Sequence, residues 1–103
     1  MKPLIYGYMR VTPGTPDNDL EQTERVLRDY AEHEGYSFAT IFHEHVNGSQ
    51  SAFSELIEEL QRTEAHHVIV PTLDHLSGHD ILLNTMLARL EQAAGAQVLP
   101  LAR

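Results

Sequence analysis

An α/β fold, a four-stranded and mainly parallel sheet with helices on both faces, is what this sequence predicts, and three observations predict it. Four short apolar runs, Leu4–Val11, Tyr36–Phe42, His67–Val70 and Gln97–Leu101, alternate with three longer segments of helical periodicity. Parallel strands need such crossover connections, and the helices that make them cover the sheet on its two sides to give three layers. Finally, 103 residues that are 42% hydrophobic fit one compact unit, since domains commonly run to about 100 to 150 residues.

The first run, Leu4 to Val11, is continuously apolar or aromatic up to Met9 and stops at Thr12-Pro13-Gly14, the pattern of a buried strand closed by a turn. Thr15-Pro16-Asp17 then offers an N-cap, a proline for the first helical position and early acids for the helix dipole. Leu20, Leu27, Tyr30, Ala31 and Glu34 share one side of the helix that follows, and Gly35 ends it. Tyr36–Phe42 alternates as a second strand, ending before a polar loop from His43 to Gln50.

Ser51 is placed to cap a second helix, in which Phe53, Leu56, Ile57 and Leu60 keep the spacing of one buried face and the opposite face is acidic. The third strand closes at Pro71-Thr72, and Ser77 with Asp80 has the pattern of a capping box ahead of the third helix. That helix carries Ile81, Leu82, Leu83, Met86, Leu87 and Leu90 and ends at Ala94-Gly95. The three strands are expected to end at Val11, Phe42 and Pro71, to within about two residues. In open sheets of this kind ligands bind beyond the carboxyl ends of the strands, which nominates Arg10 to Thr12, His43 to Gln50 and Thr72 to Gly78.

Composition narrows the function. Seven lysines and arginines against fifteen acids give −8 at neutral pH, and phosphate binding rests on cationic contacts that release counterions. Unaided binding of the isolated chain to nucleic acid is therefore not expected, although its seven histidines soften the charge below about pH 6.5. The absence of cysteine excludes a thiol nucleophile, a disulfide framework and Cys-ligated zinc. No run approaches the roughly 20 apolar residues of a membrane span and no leader pattern is visible, so the chain reads as cytoplasmic.

Four segments carry a family resemblance. Tyr6-Gly7-Tyr8-Met9-Arg10-Val11-Thr12 resembles the opening strand of the serine recombinase catalytic domain, the resolvase/invertase family, whose pattern is Tyr-Gly-Tyr-x-Arg-Val-Ser. Leu27-Arg28-Asp29-Tyr30-Ala31 with Gly35-Tyr36 is similar to that family's first helix, and Ile41-Phe42 through Asn47-Gly48-Ser49 to its second-strand loop. Val68 through Leu76 resembles the strand that ends in Leu-Asp-Arg-Leu. The segments agree in order and spacing and span nearly the whole chain.

The resemblance implies a chemistry: a serine hydroxyl attacks a DNA phosphodiester to form a phosphoserine while arginines neutralise the phosphate. Here the family's site is thinned out. Arg10 stands at the first active-site arginine and Asp74 is kept, but the nucleophile position holds Thr12, whose extra methyl restricts its rotamers and crowds an in-line attack. Positions of three further arginines fall on Phe53, His75 and Gly78, and the glutamine of the first helix falls on Thr23 beside Gln22. One arginine at a phosphoryl transition state can be worth about 10³ to 10⁵ in rate. A non-catalytic relative acting as an interaction or regulatory module is thus expected, with a recombinase domain using Thr12, Arg10, Asp74 and His75 as the alternative. The family's long dimerisation helix and DNA-binding domain would begin about where this sequence stops, so residues 1–103 read as a single catalytic-type domain.

Local alternatives accompany this reading. Arg10 could hold an anion beside the helix that begins near Ser77, or pair with Asp74 or Glu44. His75 with His79, and His43 with His45, have spacings that could serve a metal, but no metal signature or cofactor motif is present and none is expected to bind. The third helix has more apolar residues than one buried stripe requires, which points to a homodimer or protein partner at Leu83, Met86, Leu87 and Leu90. A chain this short buries only roughly 60–70% of its unfolded surface and would gain from such a partner.

Overall fold

A computed structural model describes residues 2–45 and 50–101. Its strands β1 (Leu4–Val11), β2 (Ser37–His45), β3 (His67–Val70) and β4 (Gln97–Pro100) form one sheet in the order β2-β1-β3-β4, and every pairing is parallel. Helices α1 (Asp17–His33), α2 (Ser51–Thr63) and α3 (Asp80–Ala94) connect them, with a short 3₁₀ turn at Leu73–His75 after β3.

Alternation along β1 divides the core. Tyr6 and Tyr8 point toward α2 and α3, where Phe53, Leu56, Leu60, Leu76, Met86 and Leu90 close the larger cluster. Ile5 points the other way, to Leu27 and Ala31 of α1 and Ile69 of β3. On that side Gly7 is a close-approach position: a Cβ there would lie 3.0 Å from Ile41 and 3.1 Å from Phe38 of β2, whose side chains fill the space. The pairing of β1 with β2 also shifts register between Ile5 and Gly7.

Several boundaries differ from the sequence expectation. β1 and β3 end at Val11 and Val70, within the expected range, but β2 runs three residues past Phe42 because Arg10 and Val11 pair with Glu44 and His45. The polar character of His43-Glu44-His45 suggested a loop; the backbone ladder and a buried role for Glu44 make it strand. Residues 46–49, which include part of the second-strand loop motif, lie outside the described residues.

The helix starts are each shifted as well. Pro16, not Thr15, holds the N-cap position of α1, and Thr15 turns its hydroxyl to Thr12 instead. Gln50 precedes α2, so Ser51 is its first helical residue. At α3 the cap is His79; Ser77 accepts the His79 N–H at 3.0 Å, a local turn that uses its hydroxyl two residues too early for a capping box with Asp80. α1 and α3 stop where expected, at Gly35 and Gly95, both at positive φ.

Candidate functional site at the strand switch

The chain passes from β1 to β2 on one side and then to β3 on the other, so the carboxyl ends of β1 and β3 border the switch point of the sheet, where open α/β folds place ligands. Arg10 and Thr12 arrive there from β1, and Asp74, His75 and Leu76 from the 3₁₀ turn after β3. Three hydrogen bonds tie the two segments. The Arg10 backbone N–H donates to His75 Nδ1 at 3.0 Å, its Nη2 donates to the Leu76 carbonyl at 3.0 Å, and its Nε reaches the His75 carbonyl at 3.5 Å.

This geometry sets the protonation of His75. A ring nitrogen that accepts an N–H carries no proton, so the neutral tautomer has its hydrogen on Nε2. Burial holds the imidazole below its ordinary value of 6.5, and the Arg10 charge adds to the effect while Asp74 opposes it. The residue at a family arginine position is thus uncharged at neutral pH, and the Arg10 guanidinium spends donors on backbone carbonyls. The ion pair of Arg10 with Asp74 or Glu44 that the sequence allowed is not formed; among the described residues the ion pairs are Arg28–Glu24 and Arg62–Glu59.

Glu44, which the sequence offers only as a possible partner of Arg10, is the buried carboxylate next to this crevice. It accepts from the Tyr8 hydroxyl at 3.1 Å and from the backbone N–H groups of Ala52 and Phe53 at 3.3 and 3.1 Å. Those amides belong to the first turn of α2, so the carboxylate does the work of an N-cap and sits where the helix dipole favours negative charge. Burial, then the neighbouring Glu44 charge and hydrogen bond, raise the Tyr8 phenol well above its usual value. The signal in the sequence was the period of two: Glu44 follows Phe42 on the inward face once β2 is continued to His45.

The remaining expected positions do not gather into a phosphate cage. Thr12 is exposed, with its Oγ1 2.6 Å from that of Thr15. Phe53 is fully buried, edge-on to Tyr8 with ring centroids 5.8 Å apart, and Arg89 of α3 lies 5.3 Å over its ring. Gly78 is exposed with open space around it. Gln22 and Thr23 lie on the α1 side, beside Pro71 and Leu101. No three histidines or acids among the described residues stand close enough to hold a metal ion, so His43, His45, His75 and His79 do not converge.

Of the four residues expected at an interface on α3, Met86 and Leu90 are core residues, 1% and 0% exposed, because they face the sheet and α2. Leu83 and Leu87 are half-buried against the same cluster. The apolar side chains of α3 that face outward are Ile81 and Leu82. Among the described residues no helix is long and apolar enough to cross a membrane.

Against known proteins, the family profile described as "Resolvase, N terminal domain" matches residues 5–102. No curated protein sequence matches the chain. The fold is similar to the C-terminal catalytic domain of ISC1926 TnpA, an IS607-like serine recombinase, with TM-score 0.80 and 17% identity over 97% of this chain and 68% of that one. It is similar to the N-terminal catalytic domain of TP901-1 integrase, with TM-score 0.76 and 20% identity, covering 95% of this chain and 76% of that one. A resolvase family site-specific recombinase from Streptococcus pneumoniae gives TM-score 0.78 at 17% identity, over 96% and 72% of the two chains.

Proposed function

This chain belongs to the resolvase N-terminal domain family, and from that premise we propose that it is a non-catalytic member, a small cytoplasmic interaction or regulatory module that works as a homodimer or with a protein partner. The observation that carries this reading is the fully buried Phe53, at a position where the resemblance places a phosphate-binding arginine. A phosphoryl transition state is stabilised mainly by positioned cations. Here one such position is filled by core, a second by the neutral His75, a third by the exposed Gly78, and Arg10 is bound to two carbonyls. Glu44 adds a carboxylate close by, and the net charge of −8 opposes approach of a duplex.

A second reading keeps the chain as a DNA strand transferase with Thr12 as nucleophile. One observation favours it: Thr12 is exposed at the switch point, one residue past the strand that carries Arg10. The two readings separate on incubation with supercoiled DNA followed by denaturing electrophoresis. The expected outcome is neither nicking nor a protein–DNA adduct. An adduct formed by the wild type and lost in Thr12→Ala would overturn the non-catalytic reading.

A further inference from the structure

The sheet is covered unequally. Strands lie about 4.8 Å apart and helices pack about 8 to 10 Å apart, so one helix covers roughly two strands. On one face α2 and α3 share the four strands; on the other α1 packs over β2, β1 and β3. On the α1 face Leu99 of β4 and Leu101, which follows the strand, remain half-buried.

Two hollows lie between α1 and β4. One, of about 490 Å³, runs from Val26 to Leu101 over Pro71. The other, of about 110 Å³, runs from Tyr30 to Leu99 over Ile69. Val26 and Tyr30 are one helical turn apart on α1, and they are 45% and 39% exposed, two of the four large apolar side chains that stand out among the described residues. Leu99 of β4 and Leu101, the residue just after its end, both pack against the α1-side cluster. The result is a trough with an apolar floor, a helix wall and a strand wall.

The charged groups that line it are acidic. Asp19 lines one hollow and Glu34 the other. α1 as a whole carries six carboxylates and two arginines, and Arg28 is turned away, 5.4 Å over the Phe38 ring and 3.8 Å from Glu24. A second copy of this chain, at −8, would bring like charge to that rim. A basic helix would bring the opposite charge.

We propose that the trough between α1 and β4 is the docking site for an amphipathic helix of a basic protein partner. Its apolar side chains enter beside Val26 and Leu101 and beside Tyr30 and Leu99, while lysines or arginines along its edges meet Asp19 and Glu34. This inference rests on the reading of the chain as an interaction module and names the surface used. It is tested separately from catalysis, because a DNA adduct at Thr12 would defeat that reading without moving any signal in the trough.

The experiment titrates the ¹⁵N-labelled chain with a synthetic amphipathic helix built only of leucine and lysine, and with a leucine–glutamate peptide of the same pattern. The expected result is amide shift changes clustered on α1 around Val26 and Tyr30 and on β4, with no response to the acidic peptide. Replacing Val26 and Tyr30 together by serine is expected to weaken binding about tenfold or more, as loss of central apolar anchors does, while Ile81→Ser with Leu82→Ser leaves it unchanged. Circular dichroism of each variant separates lost binding from lost fold. Shift changes centred on Ile81 and Leu82, or equal binding of both peptides, would overturn the proposal. So would concentration-dependent changes at Val26 and Leu101 without peptide, which would assign the trough to a second copy.

Discussion

The two faces of the sheet are built from the same four strands and differ in almost everything else. Toward α2 and α3 the described residues include fourteen that are buried in one cluster, and toward α1 only four, so the first face supplies most of the hydrophobic stabilisation. The sparse face keeps apolar side chains half-covered along α1 and β4, and the dense face carries the buried carboxylate and the residues of the strand switch. A small α/β unit can thus divide its labour: one face holds the fold, and the other keeps surface available.

The largest effect that would test this division belongs to the dense face. Phe53→Ala removes a fully buried ring that packs on Tyr8 and carries Arg89 above it, and large-to-small changes of this kind cost about 3 to 5 kcal/mol. Urea unfolding of the variant is expected to show that loss. A cost under about 1 kcal/mol would mean that the cluster is not the source of stability.

Glu44→Ala comes next. It strips the Tyr8 hydroxyl and two first-turn amides of α2 of their acceptor, and each buried group left unpaired costs roughly 1 to 3 kcal/mol. Hydrogen exchange at Ala52 and Phe53 is expected to speed up more than at α1. Glu44→Gln, which keeps an acceptor oxygen, should recover part of the loss.

Acid acts on both faces through two histidines. His67 and His75 both titrate below their ordinary value of 6.5, each mainly because burial disfavours the charged ring, and His67 Nδ1 is buried without a hydrogen-bond partner. Between the depressed folded value and the unfolded value the unfolded chain binds more protons. Their contribution is therefore intact above about pH 6.5 and is lost as pH falls below it. Thermal unfolding followed from pH 7.5 down to 5 is expected to show this decline, and His75→Asn, which preserves an acceptor for the Arg10 N–H, should make it shallower. An unchanged slope in that variant would remove His75 from the account.

The smallest effect belongs to the sparse face. Val26→Ser and Tyr30→Ser are each expected to cost about 1 kcal/mol, because each side chain is only about half withdrawn from solvent. A loss above about 2 kcal/mol at either position would show that this face is core after all.

Much of this was legible in the residues. Alternating apolar runs and helical segments established the class and the order of elements, since side-chain periodicity of about two or about 3.6 records how each segment must meet the core. The stops at Gly35 and Gly95 were equally readable, because glycine accepts the left-handed conformation that ends a helix. The strand-end rule puts Arg10, Thr12, Asp74 and His75 at one end of the sheet from the sequence alone.

Other features depend on contacts between segments distant in sequence, and the tertiary structure alone decided them. Glu44 looked like a loop residue until the ladder with Arg10 extended β2 and three donors converged on its carboxylate. Arg10 had three conceivable partners and took two carbonyls and a ring nitrogen of the turn after β3, none of which its own segment announces. The third helix showed an apolar surplus, but only packing against the sheet and α2 could separate the buried Met86 and Leu90 from the outward Ile81 and Leu82. Periodicity reports that a face is apolar; what covers that face is set by how many helices the sheet must share, and here one side received two and the other received one.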